Sequence, residues 1–398
     1  MLEHWIWLVN LQGITPGQKR ELLQKFPDPE DLYHSELQEG DPNYPPQVIQ
    51  ALSEKDLTQA YQIRQQCREL SIRIIAYQDA EYPEQLRNIS DPPLVLYCKG
   101  KMPDFSAQPV IGVVGTRKAT ATGRSTARDI SQELAACGAL VVSGGAAGID
   151  AEAHQGALAE NASTVAVLGC GVDVVFPKTN RKLFERIEEN GCLLSEYPPG
   201  TPSLPWHFPE RNRIISGLSH GILVVEAPKK SGALITAKIA LEQDRDVFAV
   251  PGAVNNYASA GSNALLCEGA GAVLSGWDIL KGYASRYPSV KQCQPTQKIP
   301  DVQRFSKVAA EIRLPDCDKK CVDNSAVNAY SDQDSEATGN DPLTQKLLQC
   351  IGLEPVPVDD VIAQVQAPAA EVLGKLTKMA LLGKITNHPG RMVSLKRK

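Results

Sequence analysis

Between about residue 71 and residue 285 the chain alternates short, apolar, β-branched runs with amphipathic segments. The strand-like runs are Ile72–Tyr77, Leu94–Tyr97, Ile111–Val114, Leu140–Ser143, Thr164–Leu168, Ile222–Glu226, Val247–Val250 and Ala272–Leu274. Most are near-continuously apolar rather than alternating, which is the signature of strands buried on both faces. Helical segments such as Arg124–Ala136 and Ala233–Gln243 lie between them. An α/β fold satisfies this pattern: a Rossmann-like, doubly wound, mostly parallel sheet with helices on both sides. Ligands of such folds bind beyond the carboxyl ends of the strands.

The flanks read differently. Residues 1–70 are helical, with apolar positions at helical spacing in Trp5, Ile6, Leu8 and Val9 and again in Leu22, Leu23 and Phe26. Gly13-Ile14-Thr15-Pro16-Gly17 between them is a helix stop, a tight turn and a proline suited to a new helix start. The unit is a helix-hairpin-helix (SAM-like) domain whose turn amides hold a DNA phosphate, or an αα-hairpin used for packing; Lys19 is its first basic residue. Residues 286–341, rich in Gln, Asp, Ser, Pro and Lys, read as a polar linker with a short helical stretch near Val302–Ile312. Residues 342–398 carry three helical apolar faces, beginning at Leu343, Val358 and Val372, and then a hairpin around Pro389-Gly390. That is a winged-helix pattern. Its third helix offers Lys375 and Lys378, and the tail adds Lys396-Arg397-Lys398, so DNA and protein are both open as its partner.

Composition narrows the function classes. The 398 residues suggest two to three domains, with enough chain to bury a sizeable core. A net charge of −5 excludes a uniformly basic coat, though not a local basic groove. The ten cysteines are scattered, as free thiols are in a reducing compartment. Cys317 and Cys321 lack a second pair, so no metal is expected. The N-terminus has no basic flank before its apolar residues, and no apolar run approaches the roughly 18 residues that span a bilayer. A cytoplasmic protein with no membrane partner is expected.

Five segments at strand ends carry the chemistry. Gly115-Thr116-Arg117-Lys118 follows one strand, and a helix starts near Gly123. Helix-start amides attract anions, and the Arg117 fork fits phosphate oxygens. Ser143-Gly144-Gly145-Ala146-Ala147-Gly148-Ile149-Asp150 is a second such turn, with Asp150 as the expected cap and His154 one turn on. No lysine follows its glycines, so it is not a P-loop, and phosphate binding without nucleotide hydrolysis follows. In Gly169-Cys170-Gly171 through Arg181, Lys178 and Arg181 can reach phosphate and Phe176 can stack on a base or serve the core, with Asn180 between them. Arg211, Asn212 and Arg213 open an apolar helix; one arginine is expected to pair with Glu210 or Glu226 and the other to face the ligand. Ser231-Gly232-Ala233 opens another helix, which carries Lys238. Five anion-friendly turns on one surface suit a polymer backbone better than a mononucleotide.

These segments closely resemble the DNA-processing protein A family (DprA, also called Smf). The resemblance rests on Gly115-Thr116-Arg117, Ser143 to Asp150, Gly169-Cys170-Gly171, Phe208 to Gly217, Ser231 to Ala237 and Val247 to Gly252, and covers about residues 70–285. It implies a single-stranded-DNA-binding Rossmann core, usually a homodimer. It also implies a recombination mediator, not an enzyme and without a cofactor, that protects incoming DNA and delivers it to the RecA recombinase during natural transformation. Carried across, Arg117 and Lys178 lead the backbone contacts, with Arg211, Asn212 and Lys238 behind them. One departure is Thr122, where the family commonly has an aromatic residue. The segment Asn263–Cys267 is the candidate dimer face.

Two enzymatic readings compete. A phosphoribohydrolase also uses a Gly-Gly turn, yet only Asp150 and Glu152 lie near this one, with no obvious carboxylate pair. A nicotinamide-dependent dehydrogenase needs an acidic strand end after its first glycine turn, where this chain has Ser143.

Overall fold

The computed structural model describes residues 2–36 and 41–292, and in the C-terminal segment 342–352, 356–365, 367, 372, 374–376, 379, 385–388 and 392–395. The chain divides into two compact units, Met1–Ile299 and Pro300–Lys398.

The first unit opens with five helices: α1 (Leu2–Asn10), α2 (Pro16–Lys25), α3 (Pro29–His34), α4 (Pro46–Ser53) and α5 (Thr58–Glu69). Thr15 caps α2 in a reciprocal capping box with Gln18, which fixes the turn after α1. Lys19, the first basic residue of this hairpin, turns inward: its ammonium donates to the Val9 carbonyl at 2.6 Å. Burial pushes its pKa down to about 8. The first cation of this turn is thus spent on packing, not on DNA. Trp5, Leu8, Leu22 and Leu32 share one core with Val95 and Tyr97 of the sheet and Phe184 beneath it.

The sheet has nine strands: β1 (Arg73–Ala76), β2 (Val95–Gly100), β3 (Val110–Val114), β4 (Leu140–Ser143), β5 (Thr164–Val167), β6 (Cys192–Ser195), β7 (Gly221–Val224), β8 (Asp246–Ala249) and β9 (Gly271–Ala272). Their order is β1-β2-β6-β5-β4-β3-β7-β8-β9. β1, β2 and β6 pair antiparallel, and every other neighbouring pair is parallel. The eight expected strands all form. The ninth, β6, was not anticipated, because Cys192-Leu193-Leu194-Ser195 lacks β-branched residues. Helices α6 (Glu84–Arg87), α7 (Ala121–Ala136), α8 (Ile149–Ala159), α9 (Arg181–Asn190), α10 (His207–Leu218), α11 (Gly232–Glu242), α12 (Ala260–Cys267) and α13 (Gly276–Leu280) complete the layers. Tyr287 and Val290, assigned to the linker from sequence, are buried against the sheet, and the Tyr287 hydroxyl meets His220 Nε2 at 2.8 Å.

β3 lies between β4 and β7, so the chain winds outward from it in both directions. The carboxyl ends of β3 and β7 therefore form the switch point where such sheets open a crevice.

The second unit contains α14 (Pro342–Cys350), α15 (Val358–Val365) and a small sheet of β10 (Val356–Pro357), β12 (Met392–Leu395) and β11 (Ile385–His388), in that order. Leu347, Val361, Val372, Leu376 and Val393 form its core. The helical stretch near Val302–Ile312, the Pro389-Gly390 turn, Lys378 and the basic tail lie outside the described residues.

Candidate functional site

A cleft of about 560 Å³ opens at the switch point. Each of the five motif segments lines it, through Gly115 and Arg117, Ala146 and Asp150, Phe176, Arg211 and Asn212, and Ser231, Gly232 and Thr236. The loops are docked on one another: the Thr116 amide donates to the Glu226 carbonyl at 2.7 Å, and the Ile149 amide to the Thr116 carbonyl at 3.3 Å.

The helix starts around this cleft are largely filled by the protein's own groups. α7 begins at Ala121, two residues before the expected start, with Thr120 as its cap. The Glu226 carboxylate, 3% exposed, accepts from the Thr120 amide at 2.8 Å and its hydroxyl at 2.9 Å. A Cβ on Gly123 would lie 2.4 Å from that carboxylate, so glycine is what lets it approach. The cap of α8 is Gly148, not Asp150. Burial raises the pKa of the Asp150 carboxyl, against the opposing pull of the Arg211 charge and the amides of Ala146 and Gly144. Ser231 accepts from the Ala233 amide at the start of α11. Negative groups at helix N-termini are stabilising. Here the chain supplies two such carboxylates itself, Glu226 and Asp150.

Arg211 is a correction. Expected at the ligand, it is 3% exposed, and its guanidinium donates to the Gly144 carbonyl at 2.6 Å and to the Val167 carbonyl. Burial pushes its pKa down to about 10, which keeps it charged at neutral pH. Gly144 is glycine because a Cβ there would lie 2.5 Å from that guanidinium. Arg213 is a second correction: it is paired, but with Asp91 at 3.2 Å and Glu196 at 2.5 Å rather than with Glu210 or Glu226. Ser143 and Asn180 are also internal. The Ser143 hydroxyl donates to the Val113 carbonyl at 2.6 Å, and the Asn180 amide to the Gly145 carbonyl at 3.0 Å. Gly145 and Gly148 take positive φ values of 63° and 83°, which turn the loop tightly onto the sheet.

What faces the cleft is cationic and aromatic. The Arg117 guanidinium lies 4.6 Å over the Phe208 ring, and Phe176 packs at 5.7 Å on the same ring. Phe176 is 42% exposed, so it is not core. Thr122 sits exposed in the first turn of α7, and the aromatic surface comes instead from Phe176 and Phe208. Asn212 and Lys230 line the same space. Lys118 and Lys178 are exposed but do not line it. Lys238 also lies outside it and pairs with Glu242 at 3.7 Å. Phe208 and Lys230 also line the cleft, though neither was among the candidate residues read from the sequence.

His154 is fully buried. Its Nδ1 lies 2.8 Å from the Thr164 hydroxyl, which itself donates to the Val141 carbonyl, so Nδ1 carries the proton and donates. Nε2 is buried without a partner. Burial, with Arg211 nearby, pushes the imidazole down to about 3. A base depressed on folding takes up its proton in the unfolded chain first, so its stabilisation is intact above the ordinary imidazole value of 6.5 and erodes as pH falls towards about 3. Between about pH 6.5 and pH 5 the wild type is expected to lose about 1.7 kcal/mol more than His154→Leu, with a slope that steepens towards about 1.4 kcal/mol per pH unit. Urea denaturation across that range checks it, and parallel slopes would contradict it.

Fold and cleft together define a Rossmann-like protein with a cationic, aromatic-lined crevice at the switch point of its sheet. The family described as DNA recombination-mediator protein A matches residues 73–284, and the DprA winged helix domain matches residues 331–391. Protein Smf of Synechocystis sp. is 33% identical over 395 residues, covering 97% of each chain. DNA processing protein DprA of Bacillus subtilis is 42% identical over 219 residues, 55% of this chain and 74% of the relative. The X-ray structure of DprA from Streptococcus pneumoniae matches with a TM-score of 0.62 at 35% identity, over 71% of this chain and 98% of that one. The chain belongs to the DprA/Smf family of DNA-processing proteins. Among the described residues no helix is long and apolar enough to cross a membrane.

Proposed function

We propose that this protein is a single-stranded-DNA-binding recombination mediator that shields incoming DNA and loads RecA during natural transformation. The observation that carries this reading is the Arg117 guanidinium seated on Phe208 beside Phe176 in the open cleft. A cation beside one exposed and one half-buried ring in one crevice serves a strand whose backbone is charged and whose bases are unstacked. Arg117, Asn212 and Lys230 are the proposed phosphate contacts, Phe176 and Phe208 the proposed base contacts, and Lys118 and Lys178 flank them. Ser143, Gly144, Gly145, Gly148, Asn180 and Arg211 shape the loops beneath.

No nucleotide chemistry is proposed. Asp150 is the one carboxylate among the residues lining the cleft, with no second beside it for paired acid–base work. RecA would supply the ATP hydrolysis, in keeping with glycine turns that lack a P-loop lysine. A homodimer is part of the proposal, with Asn263–Cys267 on α12 as its candidate face; Leu274, just past the edge strand β9, is 77% exposed.

The test is fluorescence anisotropy with matched single- and double-stranded oligonucleotides at two salt concentrations, without nucleotide. The single strand is expected to bind more tightly and in a salt-dependent way. Arg117→Ala is expected to weaken it about tenfold and to flatten the log–log salt slope by about 0.7, the loss of one phosphate contact. Equal affinity for both oligonucleotides, or an unchanged slope in the variant, would sink the proposal.

A further inference from the structure

α3 presents Glu30 and His34 one turn apart on one face, and α1 brings His4 against them. His4 Nδ1 lies 3.6 Å from Glu30 Oε2. The His4 and His34 rings are 6.0 Å apart, inclined at 63°. One donor atom from each of the three residues falls within 4.8 Å of the others, and this is the only such group of His, Cys, Asp or Glu among the described residues.

Two further observations separate this cluster from a chance meeting of surface side chains. His4 is 8% exposed, and its Nδ1 is buried without a hydrogen-bond partner. A buried nitrogen left in this way has a desolvation cost that a bound ligand would relieve. The frame is also fixed. The Tyr33 ring lies 4.9 Å from His4, Trp7 packs edge-on against Tyr33, and the Tyr33 hydroxyl donates to the Lys55 carbonyl at 2.6 Å. Lys55 in turn donates to the Leu32 carbonyl at the end of α3 at 3.2 Å.

We propose that His4, Glu30 and His34 form a binding site for a divalent transition metal, zinc first among them, that staples α1 to α3. Two imidazoles and one carboxylate are a donor set that zinc takes, with water in the remaining position. Zinc bonds of about 2.0–2.1 Å place tetrahedral donor atoms roughly 3.3 Å apart. The His4–Glu30 pair is near that spacing already. His34 is exposed, and a turn of its side chain closes the rest. Glu30 has another partner in the metal-free protein, so the metal takes over a carboxylate oxygen rather than finding an idle one. The tie would join helices on either side of α2, in the part of the chain ahead of the sheet.

The full chain, stripped with chelator, is titrated with Zn(II) by calorimetry and melted with and without the metal. Ten cysteines can also take zinc, so the readout is the difference between wild type and variants. Wild type is expected to bind one equivalent more tightly than His34→Gln and Glu30→Gln, by more than about tenfold. Zinc is expected to raise its melting temperature and to leave that of the variants unmoved. His34 and Glu30 are not core residues, so both variants fold. Equal stoichiometry and affinity, or an equal zinc-induced shift in all three proteins, would overturn the assignment.

Discussion

Arg211→Met is expected to lower the unfolding free energy by about 3–5 kcal/mol, the cost of removing one partner from a buried charge pair. Methionine keeps much of the side-chain volume, so the loss is electrostatic rather than a cavity. Without the guanidinium, the carbonyls of Gly144 and Val167 lose their donor and the raised Asp150 carboxyl loses its counter-charge. Arg211→Lys should not rescue the fold, because one ammonium does not reproduce the reach of a planar guanidinium to the Gly144 and Val167 carbonyls. The double variant Arg211→Met with Asp150→Asn should recover part of the loss, since neither charge is then left unpaired. Urea denaturation of the four proteins measures this. A loss under about 1 kcal/mol in the single variant would mean that solvent reaches Arg211 and that its burial is not as described.

The strands were legible because a parallel sheet writes its buried runs directly into the sequence, and β6 escaped because it is spelled in leucine and cysteine. The site was legible only in part. Glycine turns announce helix starts, but not what fills them. Glu226 reaches Thr120 across 106 residues of sequence, and no local pattern foretells a carboxylate arriving from that far to occupy the start of α7. The same limit applies to the arginines of α10. Two residues apart on a helix, Arg211 and Arg213 must face different ways. That geometry suggested one structural and one ligand-facing side chain. Instead both directions lead to protein partners: loop carbonyls for one, Asp91 and Glu196 for the other. Arg117 lines the cleft because it rides on the loop itself, where position along the chain and position in space coincide. Phe208 was invisible as a site residue for the opposite reason. Its importance comes from Arg117 and Phe176, which meet it from two other loops.

Gly148→Ala is the second large effect, expected to destabilise by about 2–5 kcal/mol, from a left-handed backbone that a Cβ disfavours and from overpacking. Gly148 has a φ of 83°, and a Cβ on it would lie 2.4 Å from the Thr116 carbonyl oxygen and 2.7 Å from that of Arg117. Those neighbours are backbone and cannot rotate away. The loop that carries Arg117 must shift, so single-strand affinity should fall together with stability even though Gly148 makes no proposed contact. Gly232→Ala is the matched control. It also lies on the cleft, but nothing stands within 4 Å of its added Cβ. Its stability should stay within about 0.5 kcal/mol of wild type. Thermal and urea unfolding of the pair separate the two glycines. If Gly148→Ala melts with the wild type while still binding DNA as tightly, the two loops are not docked backbone to backbone, and Arg117 is positioned by something other than the α8 start.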